Sequence, residues 1–240
     1  MLSHKKSLDI LKKTNALLEG HFVLSSGLHS SRYIQCAKLL SFPNKAELIC
    51  KSLAKKINKN FKNIDIILAP AMGGIIIGYE IGKLLSYPHL AEKICKALSL
   101  KIKKNFKNID LILAPAMGGI IIGYEMGRIL KKETIFCERI KGKFVLRRGF
   151  HIKKNSRVLI IEDVITTGKS SMECLKLIKK AKAKLVGFAS IIDRSTKKNL
   201  KIKNKVISFL KIDVPTYKYN KLPNNLKSIP ITTPGSRFIK

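Results

Sequence analysis

The stretch VLIIEDVITTGKS, residues 158–170, changes within a few positions from an apolar run to a dense polar loop. Its first four residues fit a buried strand, and Glu162 and Asp163 follow side by side. The hydroxyls and the glycine of TTGKS then lead into a helical pattern. Because a helix N-terminus offers unpaired backbone N–H groups and a partial positive charge, this loop suits a phosphate, with the two acids placed to hold a hydroxylated sugar.

Other nucleotide or catalytic motifs do not account for this loop. A Walker A loop needs a glycine five residues before Gly168, where Asp163 stands. The chain has no GxGxxG fingerprint, and none of its five His residues lies near a GxSxG elbow. The acids and hydroxyls could simply cap the helix, but a single capping residue would be enough for that purpose.

Length and composition indicate a folded domain, since 45% of the 240 residues are hydrophobic. No apolar run approaches the roughly 20 residues of a membrane-spanning helix. The N-terminus, MLSHKKSLDILKKTNALLEG, lacks a signal-peptide core and predicts an amphipathic helix with Leu8, Leu11, Leu17 and Leu18 near one face. Five cysteines without a CxxC pair predict neither a disulfide framework nor a zinc site, and favour a reducing cytoplasm with most thiols packed in the core.

The net charge of +33 rests mostly on lysine, since about 40 of the 48 basic residues are Lys and about 8 are Arg. Sequence-specific nucleic-acid surfaces rely on arginine for bidentate contacts, whereas these lysines are spread through helices between Ile and Asn. We interpret the excess as lysines on solvated helix faces. Attraction of an anionic small substrate is compatible with this interpretation, and a specific nucleic-acid partner is not favoured.

Residues 38–82 (copy one) and 83–127 (copy two) form a tandem repeat that aligns without a gap at an offset of 45. Each copy predicts a helix, a short strand, a glycine turn and a second helix; the strand reads IDIILAP in copy one and IDLILAP in copy two. Removing one copy leaves about 195 residues in unbroken register, so we expect one domain carrying an extra unit. Copy two runs directly into the next strand and is expected in the sheet, while copy one is expected to be an extra flap or an edge element, in which IDIILAP would be an exposed edge strand.

Further strand-like runs, TIFCERI, VLIIEDVI and LVGFASIID, alternate with helical patterns downstream. This alternation predicts an α/β fold with a mostly parallel twisted sheet flanked by helices. The basic, glycine-punctuated segment KGKFVLRRGFHIKKNS predicts an exposed hairpin or mobile loop. In such sheets, ligands bind beyond the carboxyl ends of the strands, which is where Glu162 and Asp163 stand.

EDVITTGKS resembles the phosphoribosyl-diphosphate (PRPP) signature of the type I phosphoribosyltransferases. GHFVLSSGLHSSRYIQ, APAMGGI, ERIKGKFVLRRGF and IIDRS are similar, in the same order, to segments of orotate phosphoribosyltransferases, and PGSRF resembles one bacterial branch of them. The resemblance covers nearly the whole chain apart from one copy of the repeat. It implies a single domain over residues 1–240, with an N-terminal hood segment at 1–37 joined by C-terminal residues, and a basic flexible flap at 137–155.

The resemblance also implies roles for individual residues. Asp163, Arg139 and Lys143 would be catalytic, the last two closing over the leaving diphosphate. Thr166 and Arg194 would bind orotate. The residues implied to bind PRPP are those of the signature and of the glycine turn in copy two: Glu162, Asp163, Val164, Ile165, Thr166, Thr167, Gly168, Lys169, Ser170, Gly118 and Gly119.

The implied reaction transfers the phosphoribosyl group from PRPP to orotate, giving orotidine 5′-phosphate and diphosphate. Mg²⁺ is the implied cofactor, held mainly through PRPP rather than by direct protein ligands. The resemblance further implies a cytoplasmic homodimer in which the flap of one subunit serves the site of its neighbour, with no membrane partner.

The sequence departs from some family members at several of these positions. They carry Lys where Ser25 stands, another Lys where Gly118 stands, and a Lys–His pair where Ile140 and Val145 stand. Lys141, Arg147 and Arg148 lie close enough in sequence to the last two positions to supply charge. Three alternatives therefore remain open: a phosphoribosyltransferase for another base, a regulator that senses PRPP, and a non-catalytic relic of the same fold.

Overall fold

The structure is a computed structural model of the chain. It describes residues 2–23, 28–61, 64, 66–71, 73–85, 89–196, 200–212, 214, 223–228 and 230. The C-terminal part of the predicted hood, with PGSRF at 234–238, lies outside the described residues. Within the described part of the chain, no helix combines the length and the apolar character needed to cross a bilayer.

Eight helices and eight strands are found among the described residues. In chain order, they are α1 (His4–Lys13), β1 (Leu17–Val23), β2 (His29–Ile34), α2 (Cys36–Leu40), α3 (Pro43–Asn60), α4 (Gly74–Leu85), α5 (His89–Asn105), β3 (Leu111–Pro115), α6 (Gly119–Leu130), β4 (Glu133–Ile140), β5 (Lys143–Val145), β6 (Arg157–Ile165), α7 (Lys169–Lys180), β7 (Lys184–Asp193), β8 (Val206–Lys211) and α8 (Asn224–Lys227).

Six of the strands form the central sheet, in the order β5-β4-β3-β6-β7-β8. Every neighbouring pair is parallel except β4 and β5, which form an antiparallel hairpin in the predicted flap. All five residues of β3 are buried, as expected for a strand covered on both faces. The predicted mostly parallel sheet is confirmed.

Successive residues of the central strands point to two separate cores, because side chains alternate between the faces of a sheet. Leu113 of β3 and Ile160 of β6 belong to the core that includes α7. Ile112 and Leu159 belong to the core that includes α5. Four of the five cysteines are buried, which confirms that most thiols pack as small apolar groups.

Of the two copies of the repeat, copy two supplies the strand. Its β3 lies between β4 and β6. Of the two expectations for copy one, the edge strand is wrong, because Ile64 and residues 66–70 form no strand, and Ile66 and Leu68 are 73% and 85% exposed. A strand needs a neighbour for its backbone groups, and β3 already fills the position between β4 and β6. Copy one instead contributes α3 and α4, which pack on each other and on α6.

The N-terminal segment is a helix followed by a hairpin. α1 ends at Lys13, and Asn15 adopts a positive φ of 52°. Leu17 and Leu18, predicted to extend the helix, instead begin β1, which pairs antiparallel with β2. This part of the helix prediction is wrong because pairing with a strand further along the chain overrides the local helical pattern.

Candidate active site

The loop between β6 and α7 forms the centre of the site. Glu162 and Asp163 lie near the carboxyl end of β6, and α7 begins at Lys169. Gly168 adopts a φ of +71°, and a Cβ at this position would lie 2.6 Å from the side chain of Ile202. Glycine is therefore needed for both backbone conformation and space. The turn starts α7 directly after the strand, so the N–H groups of its first turn are available to a ligand.

A cavity of about 220 Å³ lies over this loop. Of the nine signature residues predicted to bind PRPP, all except Asp163 line it: Glu162, Val164, Ile165, Thr166, Thr167, Gly168, Lys169 and Ser170. The loop is also fixed from outside, because the carbonyl of Thr167 accepts a hydrogen bond from the N–H of Lys201 at 2.9 Å. The structure thus brings the predicted residues together around one space, and their binding role stays a prediction.

The two neighbouring acids have different surroundings. Glu162 is 6% exposed, and its carboxylate accepts a short hydrogen bond from the hydroxyl of Ser171, which is fully buried on α7. Asp163 is exposed, and its carboxylate lies against Gly118 in the turn between β3 and α6. Glu162 is therefore held by α7, which follows the signature loop, while Asp163 is accessible to a ligand.

The glycine turn of copy two lies directly beside Asp163. A Cβ on Gly118 would overlap the Asp163 carboxylate, so a larger residue fits here only if that carboxylate moves. A Cβ on Gly119 would lie 3.1 Å from the backbone oxygen of Ile161 in β6. These close approaches bring two loops that are distant in sequence together at the same edge of the sheet. The PRPP-binding role of Gly118 and Gly119 stays a prediction.

Arg194 lies at the end of β7, next to the signature loop. Its backbone N–H donates to the carbonyl of Ile165 at 2.8 Å, which places it beside Thr166. The preceding residue, Asp193, accepts a hydrogen bond from the N–H of Ser195 at 2.8 Å. The Nε atom of Arg194 is buried and has no hydrogen-bond partner among the described residues. A buried donor of this kind is costly unless a ligand pairs with it, and a carboxylate would do so well.

The two predicted flap residues do not line the cavity. Arg139 donates to the carbonyl of Gly142 at 2.5 Å and forms an ion pair with Glu173 of α7 at 2.7 Å. Its guanidinium also stacks on Phe144, 4.1 Å from the ring centre. Lys143 is exposed and lines a separate, open depression on the flap. In this arrangement Arg139 is tied to α7, and Lys143 lies apart from the cavity.

Two contacts near the site were not indicated by the sequence. Ser171 supports Glu162 from a different element, and one serine in a helix gives no signal of such a role. Glu138, at the end of β4, is 7% exposed and pairs with Arg148 at 2.5 Å and with Arg147 at 3.6 Å. These ion pairs join the two sides of the flap, and the charged dipeptides ER and RR that flank it are the signal that could have revealed them.

The chain is similar in sequence to known phosphoribosyltransferases. A family model described as a phosphoribosyl transferase domain matches residues 83–220, and so begins at the first residue of copy two. The orotate phosphoribosyltransferase of Parvibaculum lavamentivorans is 38% identical over 239 residues, which cover 99% of this chain and 100% of the relative. That of Caldicellulosiruptor saccharolyticus is 36% identical over 233 residues, which cover 97% of each chain.

Among solved structures, the orotate phosphoribosyltransferase from Aeropyrum pernix is 18% identical and matches with a TM-score of 0.40, covering 85% of this chain and 92% of that chain. The chain belongs to the phosphoribosyltransferase family and, within it, to the orotate phosphoribosyltransferases. The resemblance inferred from the motifs is thereby confirmed, while the roles of single residues stay predictions.

Proposed function

We propose that the protein transfers the phosphoribosyl group from PRPP to orotate, giving orotidine 5′-phosphate and diphosphate. The observation that carries this proposal is the cavity over the signature loop, with the exposed carboxylate of Asp163 at its side. A helix start suited to a phosphate and a carboxylate suited to hydroxyls match the two ends of a ribose phosphate. The relatives named orotate phosphoribosyltransferases support orotate as the base.

Each part of PRPP is assigned to a separate group of residues. The 5′-phosphate is assigned to the first turn of α7, where Thr166, Thr167 and Ser170 add hydroxyl donors. The ribose hydroxyls are assigned to Glu162 and Asp163. The diphosphate is assigned to the glycine turn that lies against Asp163 at the start of α6.

Orotate is assigned to Thr166 and Arg194, on the side of the loop facing the end of β7. The buried Nε of Arg194 lacks a protein partner among the described residues, and the planar guanidinium matches the carboxylate of orotate. This pairing would both orient the base and satisfy a donor that is otherwise costly to bury.

The reaction needs no protein nucleophile. A ring nitrogen of orotate attacks the anomeric carbon as the bond to diphosphate breaks, through a transition state that resembles an oxocarbenium ion. Positive charge then develops on the sugar near Glu162 and Asp163, and negative charge develops on the diphosphate. Closure of the flap would bring Arg139 and Lys143 to the diphosphate and exclude water. For Arg139, closure requires release from its ion pair with Glu173.

Mg²⁺ is the proposed cofactor. The described residues contain no group of three or more His, Cys, Asp or Glu side chains arranged to hold a metal. Such a cluster is not required if the ion is held mainly through PRPP, because Mg²⁺ in proteins keeps several of its waters and is bound largely through substrate phosphates. Bound with PRPP, the ion would neutralise charge on the leaving diphosphate.

We also propose that the protein is a cytoplasmic homodimer in which the flap acts in the neighbouring site. The supporting observation is that Arg139 and Lys143 lie outside the cavity of their own chain. Inactive Lys143→Ala and inactive Asp163→Asn subunits should then regain activity when mixed and allowed to exchange, because one hybrid site receives an intact flap and an intact loop. No regain of activity in a mixed dimer would contradict action across the interface.

The main test mixes purified protein with orotate, PRPP and Mg²⁺ and follows the loss of orotate absorbance. We expect turnover that is abolished by Asp163→Asn combined with Thr166→Ala, and retained by Asp9→Asn, which alters a carboxylate that is 62% exposed on α1. Consumption of a different base instead of orotate would favour the alternative phosphoribosyltransferase. PRPP binding without turnover of any base would favour a regulator. Calorimetry that detects no PRPP binding to folded protein would refute the site itself.

A further inference from the structure

The two copies of the repeat carry the same residues for the sheet and for the glycine turn of the site. Residues 64–70 read IDIILAP and residues 109–115 read IDLILAP, so they differ only at Ile66 and Leu111. The next four residues, AMGG, are identical at 71–74 and 116–119. Copy one therefore contains a second set of the elements that copy two contributes to the site.

Copy one also repeats the close contacts of the turn. A Cβ on Gly78 would lie 2.6 Å from the Cβ of Ala69, just as a Cβ on Gly123 would lie 2.7 Å from that of Ala114. A Cβ on Gly74 would lie 3.0 Å from Pro70, and the equivalent distance from Gly119 to Pro115 is 3.2 Å. The segment before α4 is thus packed on its helix in the same way as β3 is packed on α6, although no strand neighbours it among the described residues.

Apolar side chains that copy two buries are kept in copy one but exposed. The equivalent positions, with their exposed fractions in copy one and copy two, are Leu53 at 40% and Leu98 at 0%, Phe61 at 62% and Phe106 at 7%, and Leu68 at 85% and Leu113 at 0%. Exposure of such side chains to water is unfavourable. Copy one therefore has the residues needed to fill the sheet and leaves them unused.

The surroundings allow the copies to change places. The N–H of Thr134 in β4 donates to the carbonyl of Ser41 at 2.8 Å, so copy one begins beside the sheet. α4 packs on α6, and the equivalent residues Tyr79 and Tyr124 are in edge contact, with ring centres 6.4 Å apart. Because α4 and α6 are equivalent helices, a molecule in which they change places would form the same interface, with each helix in the other's position. In the exchanged form, copy two would lie in the connection from α4 to β4, and the entropy cost of closing a loop grows slowly with its length. α6 would stay joined to β4 through Lys131 and Lys132.

We propose that the chain exchanges its two copies. In a minor population of molecules, residues 66–70 lie between β4 and β6, and copy two packs outside the sheet. Gly73 and Gly74 then take the places of Gly118 and Gly119 beside Asp163, so that copy one is a second supplier of the active-site turn. The exchange itself is independent of catalysis, and its consequence for turnover rests on the proposed function.

The test uses the same substitution at equivalent positions of the full-length chain. Leu113→Asp places a charge where the side chain is 0% exposed, while Leu68→Asp places it where the side chain is 85% exposed. Hydrogen–deuterium exchange then measures amide protection at residues 66–70 and 111–115 in each variant and in the double variant. Leu113→Ala, which opens a cavity without adding a charge, gives the same comparison in a milder form.

In the Leu113 variants, we expect protection to move to residues 66–70, with amide exchange there slowed at least about tenfold relative to the unsubstituted chain. Leu113→Asp should keep orotate turnover that the double variant lacks, and Leu68→Asp should match the unsubstituted chain. The inference is overturned if Leu113→Asp has the same orotate turnover and amide protection as the double variant and Leu113→Ala gains no protection at residues 66–70.

The readouts separate this inference from the proposed function. A gain of protection at residues 66–70 without orotate turnover in any form would support the exchange and contradict the enzymatic activity. Turnover by the unsubstituted chain with no gain of protection in either Leu113 variant would support the activity and contradict the exchange.

Discussion

Replacing Ser171 with alanine is expected to weaken PRPP binding without unfolding the protein. The hydroxyl of Ser171 donates to Glu162, and both residues are buried, at 0% and 6% exposure. A hydrogen bond to a charged group contributes about 1.5–3 kcal/mol, and its loss leaves the buried carboxylate with one donor fewer. Because 1.4 kcal/mol corresponds to a factor of ten, kcat/KM for PRPP should fall about 10- to 150-fold if the loss falls on the orientation of Glu162.

Steady-state rates at varied PRPP and saturating orotate measure this effect, together with thermal unfolding. Ser171 acts here as a positioning residue, so KM for PRPP should rise while KM for orotate, assigned to Thr166 and Arg194, changes less. The unfolding temperature should fall by about 2–4 °C for each kcal/mol of stability lost.

The matched control is Ser99→Ala. Ser99 is 3% exposed, and its hydroxyl donates to the carbonyl of Lys96 at 2.7 Å within α5. Its replacement removes a buried helical hydroxyl without touching the signature loop, so stability should fall slightly and the kinetics should stay unchanged. Equal values of kcat/KM for PRPP in the Ser171 and Ser99 variants would refute a positioning role.

Three further predictions concern the glycine turn of copy two, the binding of orotate and the loss of stability at low pH. Gly118→Ala should raise KM for PRPP at least about tenfold, with little change in melting temperature, because the new methyl group displaces the exposed Asp163 carboxylate. Arg194→Lys should raise KM for orotate more than KM for PRPP in substrate-varied kinetics, since an ammonium lacks the planar fork. Hydrogen bonds from the Arg157 side chain and backbone lower the pKa of Asp110 from 3.8 to about 2, so this contact stabilises the fold above pH 3.8 and its contribution is lost as the pH falls through about 2. Asp110→Asn should therefore be less stable than the unsubstituted chain at neutral pH in denaturant titrations, and a difference that stayed constant between pH 4 and pH 2 would contradict this.

The sheet and the signature loop could be predicted because the residues that indicate them lie close together in the sequence. VLIIED contains both the apolar run and the acids that end it, and TTGKS contains the glycine that the turn into α7 requires. The N-terminal helix was predicted too long because its pattern was also local, whereas Leu17 and Leu18 are fixed by pairing with β2. Ser171 was missed for the same reason, since its partner lies on a different element.

Copy one shows most directly that a local sequence pattern does not determine whether a segment becomes a strand. Segments 64–70 and 109–115 are almost identical, yet Leu68 is exposed and Leu113 is buried in a strand. Any prediction from the segment alone must give the same result for both. The difference arises from the sheet, because β4 and β6 leave only one position between them, and two equivalent segments compete for it.

The competition is biased by one side-chain difference at the junction of the copies. α6 carries Arg128 where α4 carries Lys83. The Nε of Arg128 lies 3.1 Å from both carboxylate oxygens of Glu125, which is fully buried, and its other nitrogens reach Glu92 at 3.1 Å and Glu47 at 3.7 Å. The planar guanidinium can hold several carboxylates in this way because it presents five donors in a fixed geometry.

Lys83 is less able than Arg128 to pair with several buried carboxylates. Its ammonium lies 2.7 Å from Glu80, which is fully buried, and 3.6 Å from Glu125. Burial raises the pKa of Glu80 despite this contact, and the Oε2 atom of Glu80 is buried without a hydrogen-bond partner among the described residues. If the copies were reversed, Glu80 would occupy the inner helix with only a lysine to pair with it, while Arg128 would move to the outer helix. Since an incompletely paired buried carboxylate is costly, copy two is the favoured occupant of the sheet even though the strand sequences barely differ.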